Sequence, residues 1–146
     1  MQFTKEELTA LLNGEKPLQL AGLDLSKASL SNADLSKANL SGADLNRAFL
    51  DNARLRYADL SKANLEDADL SESNFHGANL MDADLSGANL HGADLSGANL
   101  SGASLSHANM TGVNMSGIIL NGAKYNNFTQ WPRGFDLEAS GAILTE

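Results

Sequence analysis

The 146-residue sequence contains no cysteine, two prolines and only 5% aromatic residues. The absence of cysteine excludes disulfides, thiol catalysis and cysteine-ligated zinc. No apolar run approaches the ~20 residues of a membrane-spanning helix, and residues 1–7 lack the basic and apolar regions of a signal peptide. Basic residues are also few, ten against 18 acidic ones, and the formal net charge is −8. We therefore expect a cytoplasmic protein with no membrane segment and no direct binding to nucleic acid.

A five-residue repeat occupies most of the chain. Of the 22 positions divisible by five between 20 and 125, 18 are leucine. The residue two positions before each of these 22 is alanine in 17 cases. Five residues advance a straight helix by about 500°, and an odd period alternates the faces of a straight strand. The leucines therefore share one side only if the chain bends once per repeat. Each repeat is predicted to hold a short extended piece with two inward side chains, followed by a two-residue corner.

The residues around each leucine are typical of turns. The second residue after it is glycine ten times and never Val, Ile or Thr, as expected where the backbone requires a positive φ. The first residue after it is usually serine, which can bond locally to turn backbone. The residue before it is usually Asp or Asn and is predicted to point outward.

The pattern Ala-(Asp/Asn)-Leu-Ser-x resembles the pentapeptide repeat family over roughly three quarters of the chain. The resemblance implies an all-β solenoid, a right-handed quadrilateral β-helix with four repeats per coil. Periodicity alone predicts a turn at each repeat and does not decide how many repeats close a coil. We place the β-solenoid at 18–125, an N-terminal helical cap at 1–17 and a C-terminal capping tail at 126–146. Inward positions predicted to form the core include Leu40, Leu60, Phe75, Leu80 and Leu100.

The N-terminal segment has the pattern of a short helix that covers the first coil. Thr4 followed by Glu7 is the pattern of a capping box. Phe3 and Leu8 stand where a hydrophobic staple would place them. We therefore predict a helix over residues 5–13.

The C-terminal tail contains the only tryptophan, Trp131, together with Phe135. It is similar to the tail of cyanobacterial family members, in which Trp-Pro and Gly-Phe-Asp follow the last coil. One interpretation is an aromatic binding site. We favour the other, in which these side chains plug the last coil.

No residue pattern indicates catalysis or metal binding. His76, His91 and His107 fall in three different columns on a 20-residue coil, whereas a 15-residue coil would stack the first two. The aspartates recur at one outward position of the repeat, so their spacing follows the fold and not a catalytic pair. A convex rod also offers no cleft. We therefore predict no catalytic residue, no metal and no cofactor, and the protein is not expected to be an enzyme.

One segment departs from the repeat at its outward positions. Phe49, Arg54, Arg56 and Tyr57 stand where other repeats have Asn, Asp, Ser or Gly. Arginine and tyrosine are enriched at binding hot spots, so these residues form a candidate partner-binding patch. The alternative is drift on a tolerant surface, with the arginine and aromatic side chains stacked on one another.

The sequence favours a non-catalytic protein-interaction or scaffold module, a monomer or weak homodimer with an unidentified protein partner. The resemblance offers an alternative, because the family includes quinolone-resistance proteins that mimic B-DNA and occupy the DNA site of gyrase. The net charge has the sign that a mimic requires. However, six bases accompany five acids between 17 and 62, and the acids concentrate between 63 and 95.

Replacing an inward leucine with a charged residue tests the predicted orientation of the repeat. Leu60→Asp should break the rod locally and cost several kcal/mol of stability, because it places a charge among apolar side chains. Melting followed by circular dichroism measures the loss. An unchanged melting curve would contradict the inward assignment.

Overall fold

The computed structural model of the protein describes residues 1–145. A run of single-residue parallel bridges extends from residue 19 to residue 130. The regular elements, in chain order, are α1 (Lys5–Leu12), β1 (Lys124–Tyr125), a short 3-10 helix (Glu138–Ser140) and β2 (Ile143–Leu144).

The residue before each inward leucine pairs in parallel with the residue 20 positions later. Gln19 bridges Asn39, and the same offset continues along the chain. The bridged residues form four stacks, which we number ladders 1 to 4 from their first members, Gln19, Asp24, Ser29 and Asp34. Each 20-residue coil therefore contains four repeats and four turns, and a 15-residue coil is excluded. Coil 1 spans 18–37 and coil 2 spans 38–57.

The repeat at residues 59–63 satisfies its backbone without a regular strand. The N–H groups of Leu60 and Lys62 donate to carbonyls of the next coil at 2.7 and 2.9 Å, and that of Asp59 donates to the preceding coil at 2.9 Å. The N–H of Ala63 closes the turn onto the Leu60 carbonyl at 3.0 Å. The fifth N–H, on Ser61, donates to the Asp59 carboxylate at 3.0 Å. All five donors are paired, so a five-residue unit can be stacked without buried unpaired groups.

Every turn between residues 22 and 122 has a positive φ at the second residue after the inward side chain. A positive φ at this position, together with the hydrogen bond that closes the turn, identifies a type II turn. The predicted positive φ is therefore confirmed. Ten of these residues are glycine, and the other eleven carry a side chain, although this conformation costs an L-residue about 1 kcal/mol.

The leucine and alanine side chains fill the inside of the coils. Leu40, Leu60, Phe75, Leu80 and Leu100 are all fully buried. Beside the phenylalanine, a serine replaces the usual alanine, and its hydroxyl donates to a backbone carbonyl within the same turn. The only polar side chain at this depth is thus hydrogen-bonded, which keeps its burial inexpensive.

Helix α1 ends one residue earlier than predicted, at Leu12. Thr4 Oγ1 accepts a hydrogen bond from the Glu7 N–H at 3.1 Å. The reciprocal bond, from the Thr4 N–H to the Glu7 carboxylate, is absent from the described residues, so the predicted capping box is only half formed. Leu8 is buried in the core and Phe3 packs against it, which holds the helix on the first coil.

The C-terminal tail continues only two of the four ladders. Ladder 2 is extended by the parallel pairing of β1 with β2, and ladder 3 ends where Asn109 pairs with Gln130. Within residues 1–145, ladder 4 ends at Asn114 and ladder 1 at Ile119. The last coil therefore has two covered edges and two edges without a bridged partner.

The aromatic side chains of the tail form one cluster and one separate contact. Trp131 meets Tyr125 edge-on at 5.4 Å and stacks on Phe135 at 5.5 Å, and all three pack against the core. Phe128 is 68% exposed and stacks on His107 at 4.8 Å. That this cluster plugs the last coil stays a prediction.

The positive φ of the turns can be tested at a single glycine. Gly117 has φ +68°, and an added methyl group would meet only ordinary contacts at 3.7 Å. Gly117→Ala should therefore lower the free energy of unfolding by about 1 kcal/mol through backbone strain alone. Ser116→Ala, in the same turn, is the matched control and should have little effect. Equal stability of the two variants in urea denaturation would contradict this explanation.

Candidate functional site

The described residues contain no group of three or more His, Cys, Asp or Glu side chains that could hold a metal ion. In residues 1–145 no helix is long and apolar enough to cross a membrane. The turns stack into four turn columns, which we name 1/2, 2/3, 3/4 and 4/1 after the ladders they join. His76 lies in column 4/1, His91 in column 3/4 and His107 in column 2/3, so the histidines do not converge.

The recurring Asp and Asn side chains bend back onto the chain. In 15 repeats the side-chain oxygen accepts a hydrogen bond from the N–H two residues later. The sequence had suggested that serine makes the local bond to turn backbone. Instead, Asp94 Oδ1 accepts both the N–H and the hydroxyl of Ser96, at 2.9 and 2.6 Å. These acids have a structural role in their own turns.

These hydrogen bonds change the acidity of Asp94. Its partial burial favours the neutral acid, but the two bonds from Ser96, together with the nearby His76 and Arg56, stabilise the carboxylate and outweigh this effect. The pKa of Asp94 is consequently lowered from its ordinary value. The same pair of bonds joins Asn99 to Ser101, at 3.0 and 2.6 Å, so an amide can replace the carboxylate without changing the geometry.

The candidate patch lies on coil 2 and spans two neighbouring ladders. Phe49 belongs to ladder 3 and Arg54 to ladder 4, while Arg56 and Tyr57 form the turn that follows. Phe49 and Tyr57 are 51% and 53% exposed, and both arginines are exposed. The fold therefore groups the two arginines with the tyrosine and places the phenylalanine beyond the intervening turn at 51–52.

The patch residues give up stabilising features that most other repeats keep. Because Phe49 and Arg54 lack the side-chain oxygen of Asp or Asn, the N–H groups of Asp51 and Arg56 have no hydrogen-bond partner among the described residues. Tyr57 adopts φ +58°, an unfavourable conformation for a bulky side chain. Three consecutive repeats thus depart from the pattern at a cost in stability.

Residues from the next coil hold the Tyr57 ring in place. The ring lies over Gly77, where an added Cβ would stand 2.5 Å from Tyr57 Cε1, so only glycine leaves room for it. His76 meets the ring edge-on at 5.4 Å. On the other side, the Arg56 guanidinium lies 5.7 Å from the ring centroid, within cation–π range.

The sequence did not reveal that His76 joins this patch. Its Nδ1 lies 2.7 Å from Ser96 Oγ, and Ser96 gives its only hydroxyl proton to Asp94. His76 must therefore carry its proton on Nδ1 and donate it to the serine. The signal that would have found it is the offset of about 20 residues from Tyr57, which becomes meaningful once the coil length is known.

A groove of about 500 Å³ lies at the other end of the rod, beside the unpaired ends of ladders 4 and 1. Met115, Ile118 and Leu120 form one side of it, and Phe135 and Asp136 from the tail form the other. It lies three coils beyond Tyr57 and contains no residue of the patch.

Comparison with protein families gives a match to the family model for Pentapeptide repeats, in eight copies over residues 19–52, 48–87 and 83–122. Comparison with proteins of curated function gives no match. The family match covers all four ladders from coil 1 onward and stops before the C-terminal tail.

Solved structures similar to the chain include a pentapeptide repeat protein, Rfr23, from the cyanobacterium Cyanothece 51142. It is 33% identical, the match covers 77% of this chain and 87% of that one, and the TM-score is 0.44. A pentapeptide repeat protein from the Arabidopsis thaliana thylakoid lumen is 28% identical over 75% and 66% of the two chains, with a TM-score of 0.50. HetL of Nostoc sp. PCC 7120, involved in heterocyst differentiation regulation, is 29% identical over 86% and 71%, with a TM-score of 0.39.

The bonds to Asp94 predict how acid affects stability. A lowered pKa in the folded state means that the stabilisation is present above the unfolded pKa of about 3.9 and is lost as the pH falls through the folded pKa. Asp94→Asn keeps both bonds without titrating. We expect the variant to match the wild type at pH 7 and to lose less stability on acidification, as measured by urea unfolding. A constant difference between the two proteins at all pH values would contradict this.

Proposed function

This chain belongs to the pentapeptide repeat family, and from that premise we propose that it is a non-catalytic scaffold module that binds a protein partner through coil 2. The observation that supports the proposal is the grouping of exposed aromatic and arginine side chains in residues 49–57. Two turns there lack their side-chain bond to backbone, and an exposed tyrosine adopts positive φ.

The cost of these features is the reason to connect them with function. A repeat protein can replace any outward residue with the commonest one at that position and gain stability. Departures that reduce stability without a visible gain in packing are expected at functional sites. Other turns also lack the side-chain bond, but the aromatic and arginine departures occur together in residues 49–57 and expose side chains typical of hot spots.

The rest of the rod serves this site as a rigid support. We infer that the four-turn coil has the right-handed, square cross-section of the family, and that α1 and the aromatic tail cap its two ends. The many carboxylates and hydroxyls are engaged in turns, which supports a non-catalytic role. A DNA mimic is less well supported, because the basic residues of coils 1 and 2 interrupt a negative surface, and Arg47 lies 3.9 Å from Asp67.

Restoring the repeat at the patch should abolish partner binding while it stabilises the rod. The variant Phe49→Asn, Arg54→Asn, Arg56→Ser, Tyr57→Gly regains two turn bonds and relieves one strained residue. We expect its free energy of unfolding to rise by about 1–3 kcal/mol. Affinity capture from a lysate of the native organism, followed by mass spectrometry, should yield one stoichiometric partner with the wild type and lose it with the variant.

A matched control distinguishes loss of the binding site from a general loss of positive charge. Arg47→Gly with Lys62→Gly removes the same number of positive charges outside the patch and should keep the partner. Retention of the partner by the patch variant, or a wild type that captures nothing, would contradict the proposal. Capture of gyrase subunits would favour the DNA-mimic alternative.

A further inference from the structure

The 20-residue register sorts the turn residues by charge. Column 4/1 comprises positions 36–37, 56–57, 76–77, 96–97 and 116–117, and none of these residues is acidic. It holds Lys37, Arg56, Tyr57 and His76, and Arg54 stands beside it on ladder 4. The carboxylates at turn positions of coils 1 to 5 all lie in the other three columns: Asp82 in 1/2, Glu66 and Asp67 in 2/3, and Asp51 and Glu72 in 3/4.

The cations beside and within column 4/1 are available to a partner. In the part of the chain that the structure describes, Lys37, Arg54 and Arg56 have no carboxylate within salt-bridge distance, whereas Arg47 in column 2/3 pairs with Asp67. All three side chains are exposed. Two carboxylates of ladder 4, Asp34 and Asp94, flank Arg54 along the rod. Each accepts a hydrogen bond from its own turn, and neither forms a salt bridge with an arginine among the described residues.

We propose that these residues, Lys37, Arg54, Arg56, Tyr57 and His76, which we call the basic column, bind a carboxylate-rich acidic segment of the partner protein. The inference rests on the proposed function and names the chemistry of its partner. Guanidinium groups bind carboxylates through paired, charge-assisted hydrogen bonds. The fixed tyrosine ring adds an apolar surface against which the peptide backbone can pack.

The charge of the remaining surface directs such a segment to this column. The chain carries a net charge of −8, and the other three turn columns each contain carboxylates that repel an acidic peptide. Repulsion from the wrong surfaces contributes to specificity as much as attraction to the right one. A long nucleic acid would meet the same repulsion over a larger area, which favours a short acidic peptide as the ligand.

The geometry sets the size of the segment. Lys37 and His76 are separated by two coil steps, which at ~4.8 Å each span ~10 Å. An extended peptide rises ~3.3 Å per residue, so three or four residues parallel to the rod cover the column. A fluorescein-labelled hexaglutamate is therefore long enough to serve as a probe.

The test compares two variants that lose the same charge. Lys37→Gly, Arg54→Asn and Arg56→Ser remove three cations from the basic column, each by a residue that other repeats use. Lys27→Gly, Arg47→Gly and Lys62→Gly remove three cations from columns 2/3 and 1/2. Fluorescence anisotropy at low ionic strength should show hexaglutamate binding weakened about tenfold or more in the first variant and within about twofold in the second. Added salt should weaken the wild-type complex.

Several outcomes would overturn the inference. These are no binding of hexaglutamate to the wild type, an equal loss in both variants, or tighter binding of a single-stranded DNA oligonucleotide of equal charge. The last would assign the column to nucleic acid. Failure here is distinguishable from failure of the proposed function: a partner that depends on the patch, combined with indifference to hexaglutamate, would keep the interaction site and reject the acidic ligand.

Discussion

The backbone hydrogen bonds between successive coils hold the chain at a 20-residue offset, and the other features of the molecule depend on that offset. It places most inward leucines above another leucine, which makes the core continuous. It also turns a linear sequence into ladders and turn columns, so that Tyr57 meets Gly77 and His76 meets Ser96. Exposed residues that are 20 positions apart therefore form one surface, whereas residues that are close in sequence can lie on different surfaces.

The inside of the rod could be predicted from the sequence, and much of the outside could not. The inward positions and the positive φ follow from a period of five and from the distribution of glycine, which are local signals. The coil length is set by bonds between residues 19–21 apart, which composition does not display. The capping box formed only its Thr4 half, because Glu7 is exposed and water competes for its carboxylate. The tail lacks the repeat, so the sequence pattern could not predict that it leaves ladders 4 and 1 without a partner.

The register also explains the glycine at four turns of the rod, Gly77, Gly87, Gly92 and Gly102. Where a turn residue with positive φ carries a side chain, that side chain can lie over the equivalent residue of the next coil. An added Cβ at Gly87 would stand 2.2 Å from the carboxylate of Asp67, and one at Gly102 would stand 2.2 Å from that of Asp82. Glycine 20 residues later thus accommodates the earlier side chain as well as the backbone. The two requirements coincide at Gly77, and the Tyr57 ring depends on both.

In a regular solenoid, a binding site can be recognised because its outward residues depart from the repeat. Elsewhere on the rod the outward residues serve the turns, and their acidity is a by-product, because Asp and Asn make the same bond. Asn would have been sufficient at each of these positions, yet the chain uses Asp often enough to reach a net charge of −8. A separate set of carboxylates at turn positions, Asp51, Glu66, Asp67, Glu72 and Asp82, makes three turn columns repulsive to anions and leaves the fourth without an acidic residue. Carboxylates that do not contact the partner therefore restrict where an acidic partner can dock. The repeats outside the patch contribute in this way to the specificity of the site.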